Sequence, residues 1–159
     1  MTMPALTVWQ PWASLIAAHA KPYEFRGWAA PRALVGRRIA IHAGARPIKR
    51  AEVQDLLMRL AGPEAWSTGL RADLARPILE RVLTAPGVLP LSSVVCTAVL
   101  GAPRRANEIV FEFGGPVNDS DRGAHTSWAW PLAEIDRLEP PAPTRGAQGF
   151  WQWSDARAA

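Results

Sequence analysis

Trp9, Gln10, Trp12, Lys21, Glu24, Arg26 and Trp28 crowd into one short stretch near the start of the chain. Indole rings stack on nucleobases, an amide both donates to and accepts from a base edge, and lysine or arginine holds a phosphate. A stacked base is worth roughly 1–3 kcal/mol on such a ring. Lys21 and Glu24 lie three residues apart, so they can anchor a phosphate or pass a proton. On an open surface the same two residues form only an ion pair of about 0.2–0.5 kcal/mol. Arg26 can hold phosphate or pair with Glu24. Gln10 can read a base edge or cap a helix. Trp12 is expected in the core, and Trp9 or Trp28 in the wall of a cleft.

Those residues need a strand, a helix and a second strand to present them. Ala5 to Trp9 reads as the first strand. Pro11 suits a first helical position because its missing N–H costs nothing there. Trp12, Leu15, Ile16 and His19 or Ala20 then recur at helical spacing, so the helix is expected to reach about Ala20. Tyr23 to Trp28 is extended, Ala30 to Val35 a loop, and Arg37 to His42 a strand closed by Gly44. His42 ends that strand, either as a ligand contact or as a satisfied structural residue.

Further on, Arg50 to Leu60 places Val53, Leu56, Leu57 and Leu60 on one helical face, with Gly62-Pro63 ending it. A second helix is expected from about Gly69 to Leu83, kinked or split at Pro77. Ser92 to Leu100 is apolar and β-branched, hence a buried strand. Ile109 to Phe113 alternates and reads as another. Gly114 to Gly123 reads as a loop, with Asn118, Asp119, Asp121 and Arg122 making a charged hairpin turn. Thr126 to Pro131 is a tryptophan-rich strand, and Thr126 and Ser127 supply hydroxyls for phosphate or base contacts. Pro140 to Pro143 reads as a rigid connector. Gly149 to Trp153 is the last strand, and residues 155–159 are expected to fray.

The chain has 159 residues, 48% of them hydrophobic and 20% charged, which fits one soluble domain with a real core. No run approaches the ~20 apolar residues of a membrane span. The start lacks a basic segment followed by an apolar one, so no secretory signal is expected and the expected compartment is the cytoplasm. Cys96 is the single cysteine. It sits in an apolar strand and reads as an inert buried thiol. His19, His42 and His125 are scattered, so neither a metal nor a cofactor is expected.

Basic residues outnumber acidic ones, 18 against 14. Lys21, Arg26, Arg32, Arg37, Arg38, Arg46, Lys49 and Arg50 cluster between positions 21 and 50, opposed only by Glu24. That suits a polyanion, although a solvated basic face without a partner would look the same.

Several segments together resemble the ASCH domain, a branch of the PUA-like β-barrels. They are Gln10-Pro11-Trp12-Ala13 with Leu15-Ile16, then Lys21, Glu24, Arg26 and Trp28, then Ile39-Ala40-Ile41-His42-Ala43. Trp128-Ala129-Trp130, Leu138-Glu139-Pro140-Pro141 and Gly146-Ala147-Gln148-Gly149-Phe150-Trp151 extend the likeness to nearly the whole chain. Only the helical stretch from about 47 to 90 carries none of it.

The resemblance implies an α+β fold: a small PUA-like β-barrel with flanking helices, a helical insertion over about 47–90, and a single domain over 1–154. It implies a cleft floored by the first helix and the Lys-x-x-Glu-x-Arg turn. It also implies RNA or nucleoside as partner. One branch of that family deacetylates N4-acetylcytidine with a lysine and a threonine three residues later. Lys21 matches the lysine, but Glu24 takes the threonine's place, so the presumed nucleophile is absent. Another member is described as a ribonuclease.

The first expectation is therefore nucleic-acid binding, RNA before other nucleic acids, through a basic cleft. Its contacts would be Trp9, Gln10, Lys21, Glu24, Arg26, Trp28, Arg37, Arg38, His42 and Ser127. The alternative is hydrolysis of a modified nucleoside or of RNA, with Lys21 and Glu24 as the acid–base pair. A third is a protein-interaction module using the proline-rich connector and the helical insertion. Oligomeric state is not legible in the sequence.

Overall fold

The computed structural model describes residues 2–117 and 127–158. Seven strands form one mixed sheet. They are β1 (Thr2–Val8), β2 (Tyr23–Arg26), β3 (Arg38–Ala43), β4 (Ser93–Leu100), β5 (Arg104–Arg105), β6 (Trp128–Pro143) and β7 (Phe150–Ser154). The strand order is β2-β6-β4-β3-β1-β7, with β5 pairing on β6. Four α-helices accompany them: α1 (Trp12–Ala17), α2 (Arg50–Ala61), α3 (Ala72–Thr84) and α4 (Val110–Phe113). The fold is α+β and PUA-like. Among the described residues no backbone pairing joins β2 to β7, so the barrel is curled rather than hydrogen-bonded shut.

Alternation explains why β1 and β3 form the floor. Leu6, Val8, Ile39, Ile41 and Ala43 enter the main core with Ile16, Leu100 and Trp130. Ala5 and Ala40 face a second cluster with Val94, Ala142 and Trp153. Side chains of a strand alternate between two faces, and both faces are covered here. Side chains do the closing that the backbone does not. Trp130 of β6 stacks on Phe150 of β7 with centroids 5.9 Å apart. The Arg26 guanidinium of β2 donates to the Thr7 carbonyl of β1 at 3.3 Å.

The helical insertion lies between β3 and β4, which are sheet neighbours with Ala43 opposite Ser93. Its apolar stripe, Val53, Leu56, Leu60, Leu79 and Val82, packs against Leu15 and Ala20 beside α1. Burial of each such side chain stabilises the fold by at most about 1.5–3 kcal/mol.

Several boundaries differ from those expected. Helix α1 stops at Ala17, and His19 adopts φ 62, a left-handed value that ends any helix. Helix α3 starts at Ala72 rather than near Gly69, which is itself left-handed at φ 66, and it runs through Pro77 without splitting. The expected strand at Ile109–Phe113 is instead a 3-10 turn followed by α4. Only Ile109 of that alternation is fully buried, and Phe111 is 96% exposed. Pro140–Pro143 is not a connector but the end of β6, where Ala142 lies opposite Val94 and Pro143 opposite Ser93. Residues Ala156–Ala158 form a 3-10 turn, and Arg157 donates to the Pro140 carbonyl at 2.6 Å.

Candidate functional site

The ends of β1, β2 and β3 meet at one mouth of the barrel. Register sets His42 beside Thr7 on the parallel pair β1–β3. The Thr7 hydroxyl lies 3.2 Å from His42 Nδ1, donates to the Ala147 carbonyl at 3.0 Å, and accepts from Trp151 Nε1 at 3.1 Å. His42 Nε2 sits 2.9 Å from the Thr144 carbonyl, which can only accept, so that nitrogen carries hydrogen. Burial pushes the His42 imidazole below its ordinary value, partly offset by the Thr144 hydrogen bond. Gly146 makes this closeness possible: a Cβ there would overlap the His42 ring and the Thr7 hydroxyl. His42 is thus fastened inside the fold through Nε2 to Thr144, with Nδ1 facing the Thr7 hydroxyl.

Two residues beyond Thr7, Trp9 emerges 52% exposed. The Arg46 guanidinium covers one side of its ring, 4.0 Å from the centroid, and pairs with Glu52 of α2 at 2.5 Å. Across the mouth, Glu24 accepts from Arg26 Nε at 3.0 Å. Arg26 also lies 5.8 Å from the Trp130 ring and 6.0 Å from the Trp28 ring. Trp28 is 56% exposed, and its carbonyl accepts from Trp130 Nε1 at 3.0 Å. Trp9, Glu24, Arg26 and Trp28 therefore share this mouth.

Gln10 and Lys21 are buried within the fold. Gln10 is 1% exposed. Its Oε1 accepts from the Ser14 N–H at 2.9 Å, while Nε2 donates to Ser14 Oγ and the Pro90 carbonyl. It fastens the start of α1 to the end of the insertion, so its amide is occupied within the fold. Lys21 is also 1% exposed, with its ammonium 4.9 Å from the Phe25 ring. Phe25 itself belongs to the cluster of Tyr23, Ile109 and Val117.

Arg38 bonds Thr97 and Glu134 at the start of β3. Together with exposed Arg37 it lies the length of β3 from the mouth, roughly 17 Å at ~3.3 Å per residue. Arg26 and Arg46 thus lie at one end of the barrel, and Arg37 and Arg38 at the other. Ser127 is exposed at the entry to β6, and its carbonyl accepts from the Ala106 N–H at 3.0 Å. Thr126, Asn118, Asp119, Asp121, Arg122 and His125 lie outside the described residues.

Two concavities stand out, and neither is lined by Lys21, Glu24 or Arg26. One, about 250 Å³, lies between α1, α3, β4 and β6. The other, about 480 Å³, is walled by Tyr23, Trp66 and Phe113. Burial and the neighbouring Glu112 raise the Tyr23 hydroxyl above its ordinary range, and that hydroxyl donates to Glu112 at 2.6 Å. Burial pushes the Cys96 thiol up to about 12. Among the described residues no group of three or more His, Cys, Asp or Glu gathers as a metal site. Among them, too, no helix is long and apolar enough to cross a membrane.

The sequence did not single out Thr7, and it marked Arg46 only as one of the basic cluster. Thr7 lies two residues before Trp9, the spacing that puts both on one side of an extended chain, and that spacing was the available signal.

The curled mixed barrel, with a helix between its first two strands, has a PUA-like fold. Within that class the fold is that of an ASCH domain. The crystal structure of ASCH from Zymomonas mobilis matches 98% of this chain and 90% of its own, at 15% identity and a TM-score of 0.52. A serine-to-alanine variant of that protein matches 96% and 88%, at 16% identity and a TM-score of 0.51. No protein-family model matches the sequence, and no curated protein matches it.

Proposed function

We propose that this domain binds RNA at the barrel mouth, with bases on Trp9 and Trp28 and phosphate on Arg26. The observation that carries this is the pair of half-exposed tryptophans with the Arg26 guanidinium at the same mouth. Large indoles left open beside a cation offer stacking for any base and charge for the backbone. The ASCH fold of the similar structures supports the same reading. Titration of a labelled RNA oligonucleotide tests it. Trp9→Ala and Trp28→Ala are each expected to weaken binding roughly tenfold, and affinity should fall steeply as salt rises. Binding unchanged by both substitutions would refute it.

A second reading, hydrolysis of an N4-acetylated nucleoside or of RNA, is supported by the burial of Lys21 and Glu24. A carboxylate and an ammonium shielded from water are suited to orient water and stabilise an oxyanion. Glu24→Gln should then abolish turnover while binding survives. Absence of turnover in the unaltered protein would remove this reading and leave the first intact.

A further inference from the structure

Beyond the mouth, β2 and β5 both pair with the first residues of β6. Arg26 stands opposite Trp128 from one side, and Arg105 stands opposite it from the other. Residues in register on antiparallel strands point to the same face, so Arg26, Trp128 and Arg105 form one row across three strands. At a strand spacing of ~4.8 Å this row spans roughly 10 Å. The Arg105 guanidinium lies 4.0 Å from the Trp128 ring centroid.

The neighbouring row shows what an arginine with only a structural role looks like. Arg104 alternates to the other face, where it meets the Tyr23 hydroxyl at 3.3 Å and the Glu112 carboxylate at 3.4 Å. Arg105 is exposed, and among the described residues it makes no ion pair. Its guanidinium lies over the indole while the residue stays exposed to solvent.

We infer that the nucleic-acid path continues from the mouth across the β2–β6–β5 ribbon, with Arg105 and Trp128 as a second clamp on the same strand. This rests on the RNA-binding reading above. A base stacks on the outer plane of Arg105, giving a base–guanidinium–indole sandwich, and the guanidinium edge donates to the adjacent phosphate. Arg26 sits in both places, flanked by Trp28 at the mouth and Trp128 on the ribbon. It is the point where the two clamps join.

The test is fluorescence anisotropy with labelled oligouridine in two lengths, one short enough to fill the mouth alone and one long enough to cross the ribbon. Arg105→Ala should weaken the long strand roughly tenfold and leave the short one unchanged. Arg105→Lys should not restore the long strand, because lysine keeps the charge and loses the plane. Full restoration by lysine would overturn the sandwich. Unchanged long-strand binding in Arg105→Ala, while Trp9→Ala weakens both lengths, would overturn the second clamp and leave the mouth reading standing. Failure of the unaltered protein to bind either length would overturn both.

Discussion

Two arginine–indole stacks in this domain share one spacing and differ in everything else. Arg46 covers Trp9 and Arg105 covers Trp128, each 4.0 Å from the ring centroid. Arg46 is held by Glu52 on α2, and its side chain is only 19% exposed. That stack is part of the fold, and it fixes one face of Trp9 so that the other stays open. Arg105 sits on a two-residue strand and has no acid beside it among the described residues. The separation of a cation from a ring does not reveal its role; the cation's second partner does.

The largest effect should come from breaking the fixed side of this comparison at its root. Gly146→Ala puts a methyl into the His42 ring and the Thr7 hydroxyl, two residues behind Trp9. A loss of up to about 3 kcal/mol is expected, read as an earlier midpoint in chemical denaturation. Glu52→Ala should cost less, about 1 kcal/mol, because the pair is partly exposed and screened. Near-ultraviolet circular dichroism should report the loosened Trp9 ring in that variant. Retained signal and stability would mean that Glu52 does not hold the stack.

The His42 anchor behind Trp9 should make stability pH-dependent. Its folded value is depressed, so the unfolded chain binds more protons as the solution acidifies. The contribution should be full above the ordinary histidine value of about 6.5 and lost as pH falls through the lower folded value. His42→Gln should flatten that part of the stability–pH curve. The smallest effect belongs to the open stack: Arg105→Ala should change folding stability by less than about 0.5 kcal/mol. A larger loss would make Arg105 a second Arg46.

The core was legible because periodicity and burial agree there. Val53, Leu56 and Leu60 announce α2, and the β-branched run through Val94, Val95 and Val99 announces β4. Ile109–Phe113 misled because a short alternation fits a strand or a turn of helix equally, and only packing decides. Pro140 and Pro143 read as breakers, yet a strand end can hold residues without an N–H. Trp9, Arg26 and Trp28 were recognisable as polar and aromatic groups placed together. Gln10 was not separable from them, since an amide that caps a helix and one that reads a base are the same residue in a sequence. Arg105 carried no signal, because its row exists only once β5 and β6 are paired.

The insertion departs at Gly44 and returns at Ser92, whose N–H reaches the Gly44 carbonyl at 3.4 Å. Its two ends are thus a doorway one hydrogen bond wide. To the strands, everything between is a single long hairpin loop, and their order would be the same if that loop were a few residues or a whole foreign domain. The constraint comes from α1, whose Leu15 needs an apolar cover, from Gln10 just before it, which needs a carbonyl where Pro90 now supplies one, and from Trp9, whose Arg46 cover is held by Glu52. The doorway is therefore a natural grafting point for any module that brings one greasy face, one well-placed acceptor and a cover for the Trp9 ring.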